Sequence, residues 1–326
     1  MNDVSMPHGF AQQRYVGFGW VIQDRIMRVD SYPVENTKLA AIGEPLAQSG
    51  GPTVRALMAI ARCGSEGVTL GAIGPDTPGR EISAELESLG LTVGGLVVDE
   101  SVATRQAQVW LAEAGDERGT RTIVYSTVGP EARPGDLDFD ELLEGASALV
   151  LDGRHPATAV EAAKSARREG VLVALDLGSP KDSHEELVAL ADIVIGPRGS
   201  WQALGVGKIA GDGGVPVSLQ TKLCIATAGS QAVYAWWKGE RAYFEPPRVK
   251  VIDSNGAGDV FCGLVVWSIT HGLSPQAAIE FASMGAGIKC ETLGNDGVPW
   301  LSEILARWRT VGSLESQRWT VGPTEK

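Results

Sequence analysis

The feature that most restricts this chain is a rhythm. Short apolar runs alternate with longer amphipathic ones along most of its length, and the rhythm breaks twice. The run YVGFGWVI (15–22) is β-rich and ends at Asp24, as a buried strand would. After SGGP, TVRALMAIARC carries apolar residues at helical spacing and stops at Gly64. GVTLGAIG reads as a strand, and TPGREISAELESLG as a helix with Pro78 in its first turn and Gly90 past its last. From residue 148 the alternation returns as ALVLDG, TAVEAAKSARREG, VLVALDLG, HEELVALA and DIVIGP. This spacing predicts an α/β fold, a parallel sheet with helices on both faces.

The two breaks have antiparallel character. Within 24–48, IMRVDSYP reads as a strand closed by Pro33; 103–127 reads as two alternating strands joined by the polar turn AGDERG. Each is too short to bury a core alone. Together they are expected to form one small sheet standing off the main body, a lid over the carboxyl edge of the parallel sheet. Beyond Trp300, LSEILARWR predicts a helix, and VGSLESQRWTVGPTEK is expected to be poorly ordered.

Charge narrows the partner. Forty acidic against 28 basic residues give a net charge of −12, and no Lys/Arg cluster relieves it. That argues against a nucleic-acid surface and for a small-molecule ligand. No apolar run approaches the roughly 20 residues a membrane helix needs. The first residues lack the apolar core of a signal peptide, so the expected location is the cytoplasm. Cys63, Cys224, Cys262 and Cys290 lie far apart and read as buried thiols without a zinc site.

The segment VIDSNGAGDVFCG (251–263) passes from a strand end through a glycine turn into an apolar helix. Gly256 and Gly258 lack Cβ atoms, so the backbone there can approach a ligand closely. A helix starting near Ala257 would present unpaired N–H groups and the positive end of its dipole. That is an anion site made of backbone. Asp259 in its first turn would stay ionised and accept a proton, with a hydroxyl set between it and a γ-phosphate for in-line transfer. The competing reading is an aspartate that only complements the helix dipole.

Asp253, Ser254, Gly256, Ala257, Gly258, Asp259, Phe261 and Gly263 match the signature D-[ST]-x-G-A-G-D-x-F-x-[AG], so the segment resembles the ribokinase (PfkB) family of carbohydrate kinases. LAQSGGPTVRALMAIARCG, GAIGPDTPGREISAELESLGL and CIATAGSQAVYAW resemble further family motifs, in family order over residues 16–300. The resemblance implies a ribokinase-like, doubly wound, mainly parallel sheet flanked by helices with a small β-sheet lid, in a single kinase domain over 1–326. It also implies ATP and Mg²⁺ as cofactors and a sugar as acceptor.

Finer details resemble the ketohexokinase and sulfofructose kinase members. By that resemblance Asp24, Gly50, Gly51 and Arg154 orient the sugar, while Thr227, Gly229, Ala286 and Gly287 flank the nucleotide. Gly256, Ala257 and Gly258 hold the migrating charge. Asp24 otherwise caps a strand-to-loop turn, Arg154 otherwise lies in a surface ion pair, and Arg121 and His155 are weaker candidates for ligand contact. Where the family has G-G-x-x-x-N, this chain has Arg55. A donor-only cation there makes a neutral hexose less secure and, with Arg154, suits an anionic sugar such as sulfofructose. The other reading of Arg55 is a helix residue facing solvent. The family's N-x-x-E motif is missing from IGPRGSWQALG, which leaves the metal ligands unassigned; the second glycine of T-x-G-x-x-G is Ala232.

The leading expectation is ATP-dependent phosphorylation of a ketose hydroxyl. A nucleoside kinase would need an aromatic stacking partner, for which Trp20 and Trp110 are the candidates. A non-catalytic sugar-binding homologue would have no need of Asp259. Exposed lid edges suggest a homodimer through the lids.

Overall fold

The computed structural model describes residues 12–113, 119–179, 184–204, 219 and 222–311. Two sheets organise them. The larger is built from β1 (Arg14–Phe18), β4 (Glu66–Ile73), β5 (Leu91–Val98), β8 (Ala146–Leu151), β9 (Leu172–Asp176), β10 (Ile193–Pro197), β11 (Leu223–Thr227), β12 (Val233–Trp237) and β13 (Glu240–Phe244). Their order is β13-β12-β11-β10-β9-β8-β1-β4-β5. The pairs from β11 through to β5 are parallel, and β12 and β13 close one edge antiparallel. The chain winds outward from β1 in both directions, so β1 and β8 border the switch point where such sheets open a crevice at their carboxyl ends.

The strands read as continuous apolar runs because both faces are covered. Successive residues part company: Ala148 and Val150 join one buried cluster, Leu149 and Leu151 the other. The first cluster packs under α1 (Pro52–Arg62), α2 (Thr77–Ser88), α7 (Ala257–Thr270), α8 (Pro275–Cys290) and α9 (Leu301–Val311). The second packs under α3 (Phe139–Leu142), α4 (Pro156–Glu169), α5 (His184–Leu190) and α6 (Arg198–Ala203). Asp76 caps α2 by accepting from the Gly79 N–H at 3.1 Å. Among the described residues no helix is long and apolar enough to cross a membrane.

The smaller sheet has the order β3-β2-β6-β7, with β2 (Ile22–Val29), β3 (Leu46–Gly50), β6 (Gln106–Ala112) and β7 (Arg121–Tyr125). The two breaks in the rhythm meet through the parallel β2–β6 pair. Its private core is small, Ile26, Val109 and Leu111 with Leu46 and Leu293 packed against it. Three buried side chains contribute at most about 9 kcal/mol. Ordering the eight backbone residues of β2 alone costs about 8–16 kcal/mol. The small sheet therefore leans on the body, where the Asn295 N–H donates to Gln48 Oε1 at 2.9 Å and the Ser49 hydroxyl donates to Glu85 Oε2 at 2.8 Å.

Three expectations need correcting. The run 15–22 is two strands: β1 ends at Phe18, the chain turns where the Trp20 N–H donates to Asp152 Oδ2 at 3.1 Å, and β2 starts at Ile22. Both flanks are buried, so the apolar run hides the turn. Asp24 is consequently inside β2, paired across to Gln48 and Ala107, rather than at a strand end. Cys290 is only partly buried, unlike the other three cysteines. The AGDERG turn (apart from Gly119) and the tail after Val311 lie outside the described residues.

Candidate active site

The floor of the site is where three elements converge. Asp24 comes from β2, Arg55 from the first turn of α1 and Asp259 from the first turn of α7. Glycines make the convergence possible. A Cβ on Gly50 would meet the Asp24 carboxyl at 2.7 Å, and Gly51, with φ +115°, brings the chain around into α1. Gly256, at φ +81°, opens α7 in the left-handed conformation that glycine adopts freely. Gly258 is ordinary helix, and a Cβ on it would meet nothing within 4 Å. It supplies no unusual backbone angle. One turn further on, a Cβ on Gly263 would strike the Ala56 carbonyl, so α1 and α7 pack closely enough to set Arg55 beside Asp259.

Arg55 is buried, which removes the solvent-facing reading. Its Nη1 donates to Asp259 Oδ2 at 3.0 Å and its Nη2 to Asp24 Oδ2. Burial works against its charge, but Asp24, Asp259 and Asp253 more than offset that and raise its pKa. Arg55 is thus a neutralised cation. The expected free positive charge at this position is not there. The Asn255 side-chain amide also donates to Asp24 Oδ2, at 3.2 Å.

Behind the glycine turn sits a second buried pair. Lys289 Nζ donates to Asp253 Oδ2 and to the Asp253 carbonyl, each at 3.2 Å. Burial lowers the lysine's pKa, and Asp253 opposes the fall. The same carboxylate accepts from the Gly294 N–H at 2.9 Å and, through Oδ1, from the Asn255 N–H at 2.8 Å. Asp253 therefore fixes the start of the turn. The lid touches it too: Arg121 Nη1 donates to Ser254 Oγ at 3.1 Å, and Ser254 Oγ donates to the Gly119 carbonyl at 2.7 Å. Arg121 ties the lid to the glycine turn.

The rim lies at the carboxyl ends of β1 and β8. The Arg154 guanidinium rests 3.7 Å from the Trp20 ring centroid and that of Arg105 4.0 Å from it, with Tyr125 edge-on at 5.6 Å. Trp20 is thus engaged with cations. Trp110 lies within β6, partly buried. Arg105 is saturated by the Ser126 and Thr127 carbonyls and by Glu131 Oε1 at 3.0 Å. Arg154 makes no ion pair among the described residues; its Nη2 reaches only Ser179 Oγ at 3.4 Å. His155 is buried with Nδ1 2.6 Å from Glu131 Oε2.

The residues assigned to the nucleotide fall on two elements. Thr227 ends β11, and Gly229 turns the chain toward β12 at φ +57°. Ala232 closes that turn, its carbonyl accepting from the Ala228 N–H at 2.8 Å, and needs no positive φ. Ala286 and Gly287 lie on α8, where a Cβ on Gly287 would press on Pro247 at 3.0 Å. Among the described residues no group of three or more His, Cys, Asp or Glu is arranged to hold a metal. Cys262, next to Asp176 and Asp259, has its thiol pKa pushed well up by burial and by those charges.

The family model for "pfkB family carbohydrate kinase" matches residues 13–300. Ketohexokinase of Mus musculus is 25% identical over 305 residues, covering 86% of this chain and 97% of the mouse protein. Among solved structures, fructokinase with bound ATP from Xylella fastidiosa superposes with a TM-score of 0.76 at 20% identity, covering 92% of this chain and 99% of that one. Arabidopsis thaliana ribokinase complexed with ribose and ATP gives 0.74 at 20%, covering 91% and 99%. At these identities the structures establish a ribokinase-like fold.

Proposed function

The chain belongs to the pfkB family of carbohydrate kinases, and from that premise we propose that it transfers the γ-phosphoryl group of ATP to a hydroxyl of a ketose, with Asp259 as general base. The observation that carries this reading is the floor itself: Asp259 stands in the first turn of α7, 19% exposed, one guanidinium away from Asp24. Asp24 and the backbone at Gly50 and Gly51 would orient the sugar, with Arg154 above it. The reacting hydroxyl gives its proton to Asp259 as its oxygen bonds to the γ-phosphorus and the β–γ bridging oxygen leaves with ADP. The N–H groups of Gly256, Ala257 and Gly258 would hold the charge on the migrating group. Thr227, Gly229, Ala286 and Gly287 would border the nucleotide. When bound on the phosphates, Mg²⁺ neutralises their charge.

One observation favours a second reading, an anionic sugar. Arg154 sits on Trp20 beside Arg105, and its guanidinium has no carboxylate partner among the described residues, since the nearby Asp152 accepts from the Arg154 and Trp20 backbone N–H groups and Glu131 pairs with Arg105. A panel of ketoses, sulfosugars, sugar acids and nucleosides, assayed for ADP release with ATP and Mg²⁺, separates the readings. Turnover with a neutral ketose supports the first, turnover only with charged sugars the second, and turnover only with nucleosides removes both.

The lid also supports a homodimer. Strand β7 is a sheet edge with every residue exposed, Ile123, Val124 and Tyr125 among them, and such an edge invites pairing with a second copy. A Val124→Lys change should shift the sedimenting species from dimer to monomer; a wild-type protein that sediments as a monomer at all concentrations rules the dimer out.

A further inference from the structure

Arg55 joins the two carboxylates to which the proposed function gives different tasks. Asp24 is to hold the acceptor, and it is buried with Oδ2 already taken by Arg55 and Asn255. Asp259 is to take the proton, and its Oδ2 accepts from the same guanidinium at 3.0 Å. The side chain runs across the bare face of Gly256, where a Cβ would meet Arg55 Cδ at 2.4 Å, so the glycine leaves the space that Arg55 fills between the two acids. A sugar hydroxyl that donates to Asp24 shares that carboxylate with Arg55 and draws on the charge that holds it, and any shift of Arg55 is felt at Asp259.

A kinase has reason to link these events. Asp259 is the more open of the two acids. Water reaching it beside ATP would be activated as readily as a sugar hydroxyl, and hydrolysis would follow. We propose that Arg55 is a positioning residue that keeps Asp259 from serving water in the sugar-free enzyme and releases it once an acceptor occupies Asp24. The inference rests on Asp259 as the base. In the suppressed side reaction, water gives a proton to Asp259, its oxygen bonds to the γ-phosphorus, and the bond to the bridging oxygen breaks, giving ADP and phosphate.

The test measures phosphate release from ATP and Mg²⁺ with no sugar present. Arg55→Met should raise it at least tenfold over wild type while sugar phosphorylation falls; a purely structural role would lower both. Because Arg55→Met leaves two acids without their partner, Arg55→Met combined with Asp24→Asn removes both members of the buried pair and serves as the folding-safe variant. It should show the same rise. Adding Asp259→Asn to either variant should abolish the rise, which routes it through the base. Sugar-free hydrolysis within twofold of wild type in a folded variant overturns the inference. A rise that survives Asp259→Asn instead overturns the base assignment on which the inference rests.

Discussion

The floor and the rim of the site both carry arginines, and they treat them in opposite ways. On the floor, Arg55 is 6% exposed in its side chain and divided between two carboxylates. On the rim, Arg154 lies on the face of Trp20 without an acid of its own among the described residues, and Glu131, 46% exposed, answers mainly to Arg105 and His155. A buried cation needs its counter-charge inside the protein. A cation at a wet edge can wait for one to arrive. The contrast separates two residues that a reading of charge alone treats as a pair: Arg55 is compensated inside the protein, and the Arg154 guanidinium has no acid of its own among the described residues.

The floor should fail first and hardest. Asp259→Asn keeps the shape of the side chain and its place beside Arg55, but an amide cannot accept the hydroxyl proton. Loss of a general base costs about 10²–10⁴ in rate. We expect kcat to fall in that range while ATP and sugar affinities, measured by titration calorimetry, stay within about threefold. A variant retaining a third of wild-type kcat would leave the floor without its assigned chemistry.

What the sequence made legible was whatever local pattern encodes. The βα rhythm, the glycine turn and the start of α7 at Ala257 are all short-range signals, and Asp24, Gly50, Gly51, Arg55 and Asp259 were singled out by motif. Pairings between distant segments are not legible in this way. Asn255 on Asp24, Lys289 on Asp253 and Arg105 on Glu131 join residues up to 231 positions apart, and no periodicity announces them. An isolated lysine within the apolar stretch of α8, EFASMGAGIKC, was the one available hint, since a lysine buried there requires an acid. Arg55 lies in the site, as its motif position implies, but paired rather than free. Its neighbours on α1 cannot reveal that two carboxylates wait on β2 and α7.

The rim should respond more weakly and more selectively. Arg154→Met keeps the stem that covers Trp20 and removes the charge. For an acceptor carrying a sulfonate, carboxylate or phosphate, KM should rise by roughly 10- to 100-fold, the scale of a charge-assisted hydrogen bond of about 1.5–3 kcal/mol. The KM of a neutral ketose should move by less than about threefold. Steady-state kinetics on both acceptors decides the matter: parallel losses would mean that Arg154 binds hydroxyls alone, and the rim would then differ from the floor in exposure but not in purpose.

The smallest effect concerns the acid that holds the rim together. Burial pulls the Glu131 carboxyl upward, but the hydrogen bond from His155 and the charges of His155, Arg105 and Arg154 more than offset it, leaving its pKa below the usual glutamate value. A group whose folded pKa is depressed stabilises the fold above its unfolded pKa, about 4.3, and loses that contribution as pH falls through the folded value. Wild type should therefore unfold at a higher temperature than Glu131→Gln near pH 7, and the two curves should converge below about pH 4. Since Glu131 is nearly half exposed, solvent screens the interaction, and added salt should narrow the gap at pH 7 as well. A gap that persisted unchanged to pH 3, or ignored salt, would mean that Glu131 acts through packing and that the rim is as internally compensated as the floor.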